Sequence, residues 1–256
     1  MRVWTSDEWV DYYGQNADRP DEIPWGTGER LTEAERTAVA ASMQGFQLGE
    51  SSEGRHLVDR ARAWAERHGD PDYLRAIRLF IAEEGRHARD LGRVMDVEGI
   101  PRIRKAASDS AFRFLRRSAG LETSIAVLVT AEVVAQVYYV ALREATASPV
   151  LRALCERILA DEEAHVRFQA ERLALLARGR GRASVALRRA AQRGLMLASL
   201  PVVWSAHRRA YRAGGYGFRR FVAETWRAFE AALSQMDPAI FDEQEFSVEP
   251  PKRSVQ

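Results

Sequence analysis

The chain has 256 residues, 46% hydrophobic and 29% charged, proportions that exclude a wholly disordered or collagen-like protein. Its 38 basic and 36 acidic residues give a net charge of +2, which by itself favours neither nucleic acid nor an anionic membrane as a partner. A single cysteine, Cys155, excludes an internal disulfide, a cysteine-based zinc site and an iron–sulfur cluster within one chain. Any bound metal must therefore use carboxylates and histidines.

Residues 1–31 predict an aromatic strap rather than a targeting segment. The start, MRVWTSDEWVDYY, is aromatic and acidic and has no apolar signal core, so we expect a cytoplasmic protein. A short helix is predicted over 6–13, followed by an irregular stretch rich in proline and glycine. We expect the strap to pack across the helices that follow through its aromatic side chains, Trp4, Trp9, Tyr12, Tyr13 and Trp25.

Four long helices are predicted between residues 32 and 178. Thr32 and Glu35 form a capping box at the first start, and Asp70-Pro71 and Ser148-Pro149 each place a cap before a proline at the first helical position. A connection over 101–120, which includes a short basic helix AFRFLRR, separates the second helix from the third. The predicted helices span 33–68, 71–98, 121–145 and 149–178.

The connections predict the arrangement of these helices. Short links make the first and second helices antiparallel neighbours, and likewise the third and fourth, while one long link joins the two hairpins. We therefore predict an all-α protein whose residues 32–178 form a ferritin-like four-helix bundle with a long crossover. The rest comprises a C-terminal extension over 179–240, with helices over 184–213 (kinked at Pro201) and 217–236, and a flexible tail over 241–256.

The run 124–142 is apolar and long enough to cross a membrane. Glu132 lies at its centre, with Thr130 and Gln136 close by, and a charge there is costly in lipid. Because the rest of the chain is amphipathic, we predict no membrane span and a helix buried inside the bundle, with its glutamate bound to a partner.

Each of the four helices carries an apolar stripe that acidic residues interrupt near its middle, where a lone carboxylate would be costly. The second and fourth helices carry Glu-x-x-His, a spacing that projects both side chains from one face. The first and third helices carry one glutamate each, and in an aligned bundle all these residues meet at one level. The set is Glu50, Glu84, His87, Glu132, Glu162 and His165.

This set is the ligand arrangement of ferritin-like di-iron and di-manganese carboxylate proteins. Four carboxylates neutralise two divalent cations, and imidazole suits iron. We expect two iron ions, with a manganese–iron or two-manganese pair as alternatives. Glu53 shares the stripe of Glu50 and is either an alternative ligand or an acid behind it. Glu53-x-x-His56 repeats the motif, but His56 lies about 120° around the helix from Glu50.

Three further residues are candidates for supporting the site. Glu83 and Asp161 each precede a candidate ligand, and ligating histidines usually donate their other N–H to a carboxylate. We predict that Asp161 accepts a hydrogen bond from His87 and that Glu83 accepts one from His165. The alternative is that both acids lie on the surface and are solvated. His207, in an aromatic and apolar stretch, is either an extra ligand or acid, or a buried structural histidine.

The segments FQLGESSEGRHL, LFIAEEGRHARDLG, TAEVVAQVYY and LADEEAHVRFQ resemble the four helices of the ferritin-like superfamily over residues 32–178. EEGRH and DEEAH are similar to the paired motifs of its oxygen-activating di-iron branch, which includes acyl-carrier-protein desaturases and arylamine N-oxygenases. The resemblance implies that the six residues are iron ligands. Two residues depart from family patterns: Ala164 replaces the arginine of desaturase-type motifs, and Leu91 replaces the radical tyrosine of ribonucleotide reductase small subunits.

The resemblance implies a non-haem di-iron oxidase or oxygenase that uses O2 to hydroxylate, desaturate or N-oxygenate an organic substrate. The alternatives are a ferroxidase or iron-storage protein of the bacterioferritin kind, and a metal-stabilised bundle without turnover. Because no nucleotide-binding glycine motif is visible, we expect electrons from a separate reductase, a ferredoxin or peroxide.

The remaining partners follow from length and charge. The chain is longer than a storage bundle needs, so we expect a monomer or small homo-oligomer. Arginines cluster over 178–193 and 102–117, which suggests a substrate carried on an acidic carrier protein, with a solvated charge run as the alternative. We expect no nucleic acid partner.

Overall fold

The computed structural model describes residues 2–20, 22–27, 30–51, 54–105, 120–239 and 241. Every regular element within these ranges is helical, which confirms the all-α prediction. The basic helix predicted at 111–117 and nearly all of the predicted tail lie outside the described residues. The helices are α1 (Ser6–Ala17), α2 (Glu33–Glu50), α3 (Arg55–His68), α4 (Pro71–Val97), α5 (Leu121–Glu144), α6 (Pro149–Ala177), α7 (Arg182–Ala213) and α8 (Phe218–Gln235).

The predicted caps start three of these helices. At α2, the Glu35 amide donates to Thr32 Oγ1 at 3.2 Å, and the Thr32 amide donates to Glu35 Oε2 at 2.8 Å. At α4 and α6, Asp70 and Ser148 accept a bond from the amide three residues further on, at 3.0 and 3.4 Å. These bonds satisfy amides that have no partner inside the helix, which explains why the sequence located the starts correctly.

The prediction of one helix over 33–68 is wrong, because α2 ends at Glu50 and α3 begins at Arg55. Ser51 caps α2, and its hydroxyl donates to the Leu48 carbonyl at 2.8 Å. Serine and glycine favour such local bonds and turns over helix interiors, and the sequence from 51 to 54 is Ser-Ser-Glu-Gly. Glu50 therefore lies at the C-terminal end of a helix rather than at its middle.

The N-terminal helix is longer than predicted, ending at Ala17 rather than at residue 13. It packs along α4, with Trp9 and Tyr13 buried against Phe80 and Phe168. Asn16, in its last turn, donates to carboxylates of α4 and α6, and these tertiary bonds hold the extra turn in place. The strap thus covers the middle of the bundle.

The apolar helix α5 lies inside the protein. It contacts α3, α6, α7 and α8. In its most apolar stretch of 18 residues the mean hydropathy is 1.9, and 78% of that stretch is buried. Its length and composition would suit a membrane span, but burial within the protein accounts for its hydropathy equally well. At its far end, a Cβ on Gly214 would lie 2.1 Å from the Ala141 carbonyl oxygen, so only glycine allows the end of α7 to approach so closely.

α7 continues through Pro201, so the proline does not end the helix.

α4 contacts α2, α3 and α6, while α5 and α6 pack as a hairpin. The four helices that carry the candidate ligands therefore lie side by side.

Candidate metal centre

The structure brings the six candidate ligands into two overlapping groups, and all six side chains are buried. Within each group, one ligand atom from every residue lies within 4.8 Å of the others. Glu84 and Glu162 belong to both groups. The first group is Glu50, Glu84, His87 and Glu162, and the second is Glu84, Glu132, Glu162 and His165.

Both imidazoles turn Nδ1 towards the two shared glutamates. His165 Nδ1 lies 2.9 Å from Glu84 Oε1 and 3.7 Å from Glu162 Oε2. His87 Nδ1 lies 3.8 Å from Glu84 Oε1 and 4.0 Å from Glu162 Oε1. Among the described residues, neither Nδ1, nor Glu84 Oε1, nor either Glu162 oxygen has an aligned hydrogen-bond partner.

Unpartnered buried polar atoms are costly, and these converge on one place. Carboxylate oxygens and imidazole nitrogens are the donors that iron and manganese accept. The residues present therefore fit a metal centre that cations would complete by taking up the unpartnered lone pairs.

The second nitrogen of each imidazole is held by a carboxylate from the opposite motif. His87 Nε2 lies 3.0 Å from Asp161 Oδ2, and His165 Nε2 lies 3.1 Å from Glu83 Oε2. With the proton on Nε2, each ring donates outward and keeps the Nδ1 lone pair directed at the cluster. This is the cross-pairing between α4 and α6 that the sequence predicts.

Burial and like charge raise the pKa of the inner acids. Burial raises the pKa of Glu84 and Glu162, and the neighbouring Glu132 raises both further. Burial opposes charge on His165 as well, but Glu84 and the other facing carboxylates outweigh it and raise its pKa. Without cations, the inner cluster therefore holds protons that divalent ions would displace on binding.

The outer acids behave in the opposite way. Burial favours the neutral forms of Asp161 and Glu83, but the bonds from His87 and His165 outweigh it, so the pKa of each is lowered. These carboxylates remain charged and can orient the imidazoles.

The sequence missed two groups that hold the outer carboxylates. Asn16 Nδ2 donates to Asp161 Oδ1 at 2.9 Å and also to Glu83. Arg86 donates to Asp161 Oδ2 at 3.3 Å and also to Glu83. Asn16 belongs to the N-terminal helix, and no local pattern indicates that it reaches this site.

Two other missed residues hold terminal ligands. The Tyr139 hydroxyl donates to Glu50 Oε1 at 2.6 Å, and Gln169 Nε2 donates to Glu132 Oε1 at 3.2 Å. Tyr139 follows Glu132 by seven residues, and Gln169 follows Glu162 by seven. Two helical turns return a side chain to the same face, so a polar residue at this spacing was an available signal.

Replacement of Asp161 by asparagine is expected to weaken Mn²⁺ binding about 10- to 100-fold, because the imidazole of His87 loses its charged acceptor. Titration calorimetry under anaerobic conditions measures the affinity. Asp59→Asn, at an exposed position on α3, is the matched control and should bind as the unaltered protein does. Unchanged affinity in Asp161→Asn would show that this carboxylate does not support the site.

The structure does not bring His207 to the cluster. Its Nδ1 lies 2.8 Å from Ser42 Oγ, and its ring packs against Phe46 and Tyr138 at centroid distances of 4.9 and 5.8 Å. His207 belongs to neither ligand group. The structure therefore favours the alternative of a buried structural histidine. Glu53 lies outside the described residues, and His56 is exposed on α3.

His207 is expected to make stability depend on pH. Burial lowers its pKa to about 4 in the folded protein, against about 6.5 in the unfolded chain. Between these values only the unfolded chain takes up the proton, so stability falls as pH decreases, by about 3 kcal/mol in all. Urea unfolding of the metal-free protein should give a flatter pH profile for His207→Gln. The exposed His68→Gln should leave the profile unchanged, and equal profiles for all three proteins would contradict the assignment.

Comparison of the chain with known protein families, curated proteins and solved structures finds no match.

Proposed function

We propose that this chain is a ferritin-like di-iron carboxylate oxidoreductase that uses O2 to oxidise a small organic substrate. The observation that carries the proposal is the membership of Glu84 and Glu162 in both ligand groups. Two carboxylates shared between two four-ligand groups favour two ions at close range over one isolated ion. Each group is completed by one further glutamate and one histidine, as in ferritin-like di-metal proteins.

The charge of the ligand set suits two divalent cations. Four carboxylates can balance two divalent cations, and the neutral imidazoles donate hydrogen bonds from Nε2–H to Asp161 and Glu83. Two ferrous ions, when bound, supply the electrons that reduce O2 and the oxidising power that acts on the substrate.

The chain's own residues orient ligands and exclude water. Tyr139 and Gln169 restrain the terminal glutamates Glu50 and Glu132 through hydrogen bonds. The six candidate ligands are each 8% exposed or less, and Phe80 packs edge-on against His165 at 4.7 Å. A buried site of this kind protects a reactive centre from bulk water.

Stopped-flow absorption tests the proposal. Anaerobically reduced, iron-loaded protein mixed with O2 should show a transient visible band and rapid O2 consumption, and should remain a monomer or small oligomer on gel filtration. Zinc-loaded protein is the control and should show no band. If O2 leaves the ferrous protein unchanged, or drives growth of ferric mineral inside a large cage, the oxidase proposal is wrong. In the second case the ferroxidase alternative replaces it.

A further inference from the structure

The C-terminal helices α7 and α8 form a strongly basic surface on a nearly neutral protein. Residues 182–235 contain ten arginines and two acidic residues, whereas the whole chain has a net charge of +2. The two acids, Glu224 and Glu230, are already paired with Arg220 and Arg193. Six exposed arginines of these two helices have no ion-pair partner among the described residues, and four of them follow Trp204 closely in sequence: Arg208, Arg209, Arg212 and Arg219.

This surface also exposes apolar and aromatic groups. Val202 and Phe218 are 44% and 47% exposed, and Trp204 is half-buried beside Phe218 at a centroid distance of 5.4 Å. Val202 and Arg209 are seven residues apart, so they lie on one face of α7. Exposed aromatic and apolar groups together with arginine are typical of a protein-binding surface. We call Val202, Trp204, Phe218 and the four arginines the basic face.

A file of packed aromatic rings joins the basic face to the candidate metal centre. Trp204 stacks on Tyr211 at 5.8 Å, Tyr211 contacts Tyr138 at 6.1 Å, and Tyr138 contacts Tyr139 at 5.2 Å between ring centroids. Tyr139 then donates its hydroxyl hydrogen bond to Glu50 Oε1 at 2.6 Å. The file thus runs without a break from a half-buried tryptophan to a candidate ligand.

We propose that the basic face docks an acidic one-electron carrier protein, which reduces the metal centre through this aromatic file. The proposal rests on the proposed function, because an oxidase must have its metal ions reduced after each turnover. One electron leaves the reduced centre of the carrier and arrives at the oxidised metal centre, and no bond is formed or broken. The packed rings provide a continuous tunnelling medium, and none of them is itself oxidised or reduced.

Charge and position select this partner. Complementary charge speeds encounter and orients a partner without requiring a large interface, which suits a carrier that must leave after each transfer. A second aromatic file, from His165 through Tyr13 and Trp9 to Trp4, ends near Asp7, Glu8 and Glu171 instead. Arg2 and Arg167 pair with Glu8 and Glu171 there, so the second file ends at a surface of balanced charge that lacks the excess of arginine found on the basic face.

A reduced plant-type [2Fe–2S] ferredoxin, an acidic carrier, is the probe. The iron-loaded, oxidised protein is mixed with it anaerobically, ferredoxin oxidation is followed by absorbance, and affinity is measured separately by calorimetry. The triple variant Arg208→Glu, Arg209→Glu, Arg212→Glu should weaken binding at least about tenfold and slow transfer accordingly. Dithionite should reduce this variant at the unaltered rate. The matched control reverses the charge of three exposed arginines on α3 and α4, through Arg55→Glu, Arg67→Glu and Arg78→Glu. Its ferredoxin affinity and transfer rate should stay within about twofold of those of the unaltered protein.

The aromatic file is tested at its surface end. Trp204→Leu should lower the limiting transfer rate, measured at saturating ferredoxin, at least about tenfold beyond any loss of affinity, whereas Trp4→Leu should change neither the affinity nor the limiting rate. An equal loss of ferredoxin affinity in the two triple variants would overturn the proposal. An equal loss of the limiting transfer rate in the two tryptophan variants would overturn it as well. Tighter binding of duplex DNA or anionic vesicles than of ferredoxin would also overturn it. If dithionite reduces the unaltered protein normally but ferredoxin does not bind to it, this inference alone is wrong. If the unaltered protein does not bind iron, the proposed function is wrong as well.

Discussion

Replacement of Glu162 by glutamine is expected to abolish metal binding at both positions, because its carboxylate belongs to both ligand groups. Glu84→Gln should do the same. Glu50→Gln and Glu132→Gln each alter one group, so they should lower the metal content by about half. Elemental analysis of protein loaded with excess Fe²⁺ or Mn²⁺ and then desalted gives the number of ions per chain.

The variants should fold, because glutamine keeps the shape of glutamate and brings no charge into the buried cluster. Circular dichroism checks their helical content. Glu163→Gln, at an exposed position next to Glu162, is the matched control and should retain full metal content. Full loading of both Glu84→Gln and Glu162→Gln would show that the cluster is not a metal site.

Removal of metal with a chelator is expected to lower the midpoint of thermal unfolding by on the order of 10 °C. An ion present at about 1,000 times its dissociation constant adds about 4 kcal/mol to the free energy of unfolding. For a chain of this size each kcal/mol moves the midpoint by about 2 to 4 °C. The physical source is the cluster itself, in which burial and mutual repulsion raise the pKa of Glu84 and Glu162.

Differential scanning calorimetry measures this shift, and adding back Mn²⁺ should restore the original midpoint. In the double variant Glu84→Gln, Glu162→Gln, Mn²⁺ should leave the midpoint unchanged, which separates site binding from a general ionic effect. A metal-free protein that unfolds at the same temperature as the loaded one would contradict the assignment.

The helices and the set of candidate ligands could be read from the sequence because both depend on local periodicity. Capping residues at 32, 70 and 148 located helix starts, since the bonds they make lie within four residues. Glu84 and His87 share a face by their spacing alone, as do Glu162 and His165. Acids placed in apolar stripes then indicated that four helices contribute to one site.

Local periodicity could not show where the first helix breaks. The apolar stripe continues from α2 into α3, so the spacing predicts one helix, whereas the capping bond of Ser51 ends α2 directly after Glu50. A small preference of serine and glycine for turns decided the outcome, and it is weaker than the periodic signal on either side.

The sequence by itself determined the helical class, the pairing of the ligand motifs and the residue types available to a metal. Only the tertiary structure decided which groups support those ligands. Asn16 and Tyr139 reach Asp161 and Glu50 across 145 and 89 residues of chain. His207 is held away by Ser42, 165 residues earlier. Such contacts depend on how helices pack against one another, and no helical period in the sequence encodes that packing.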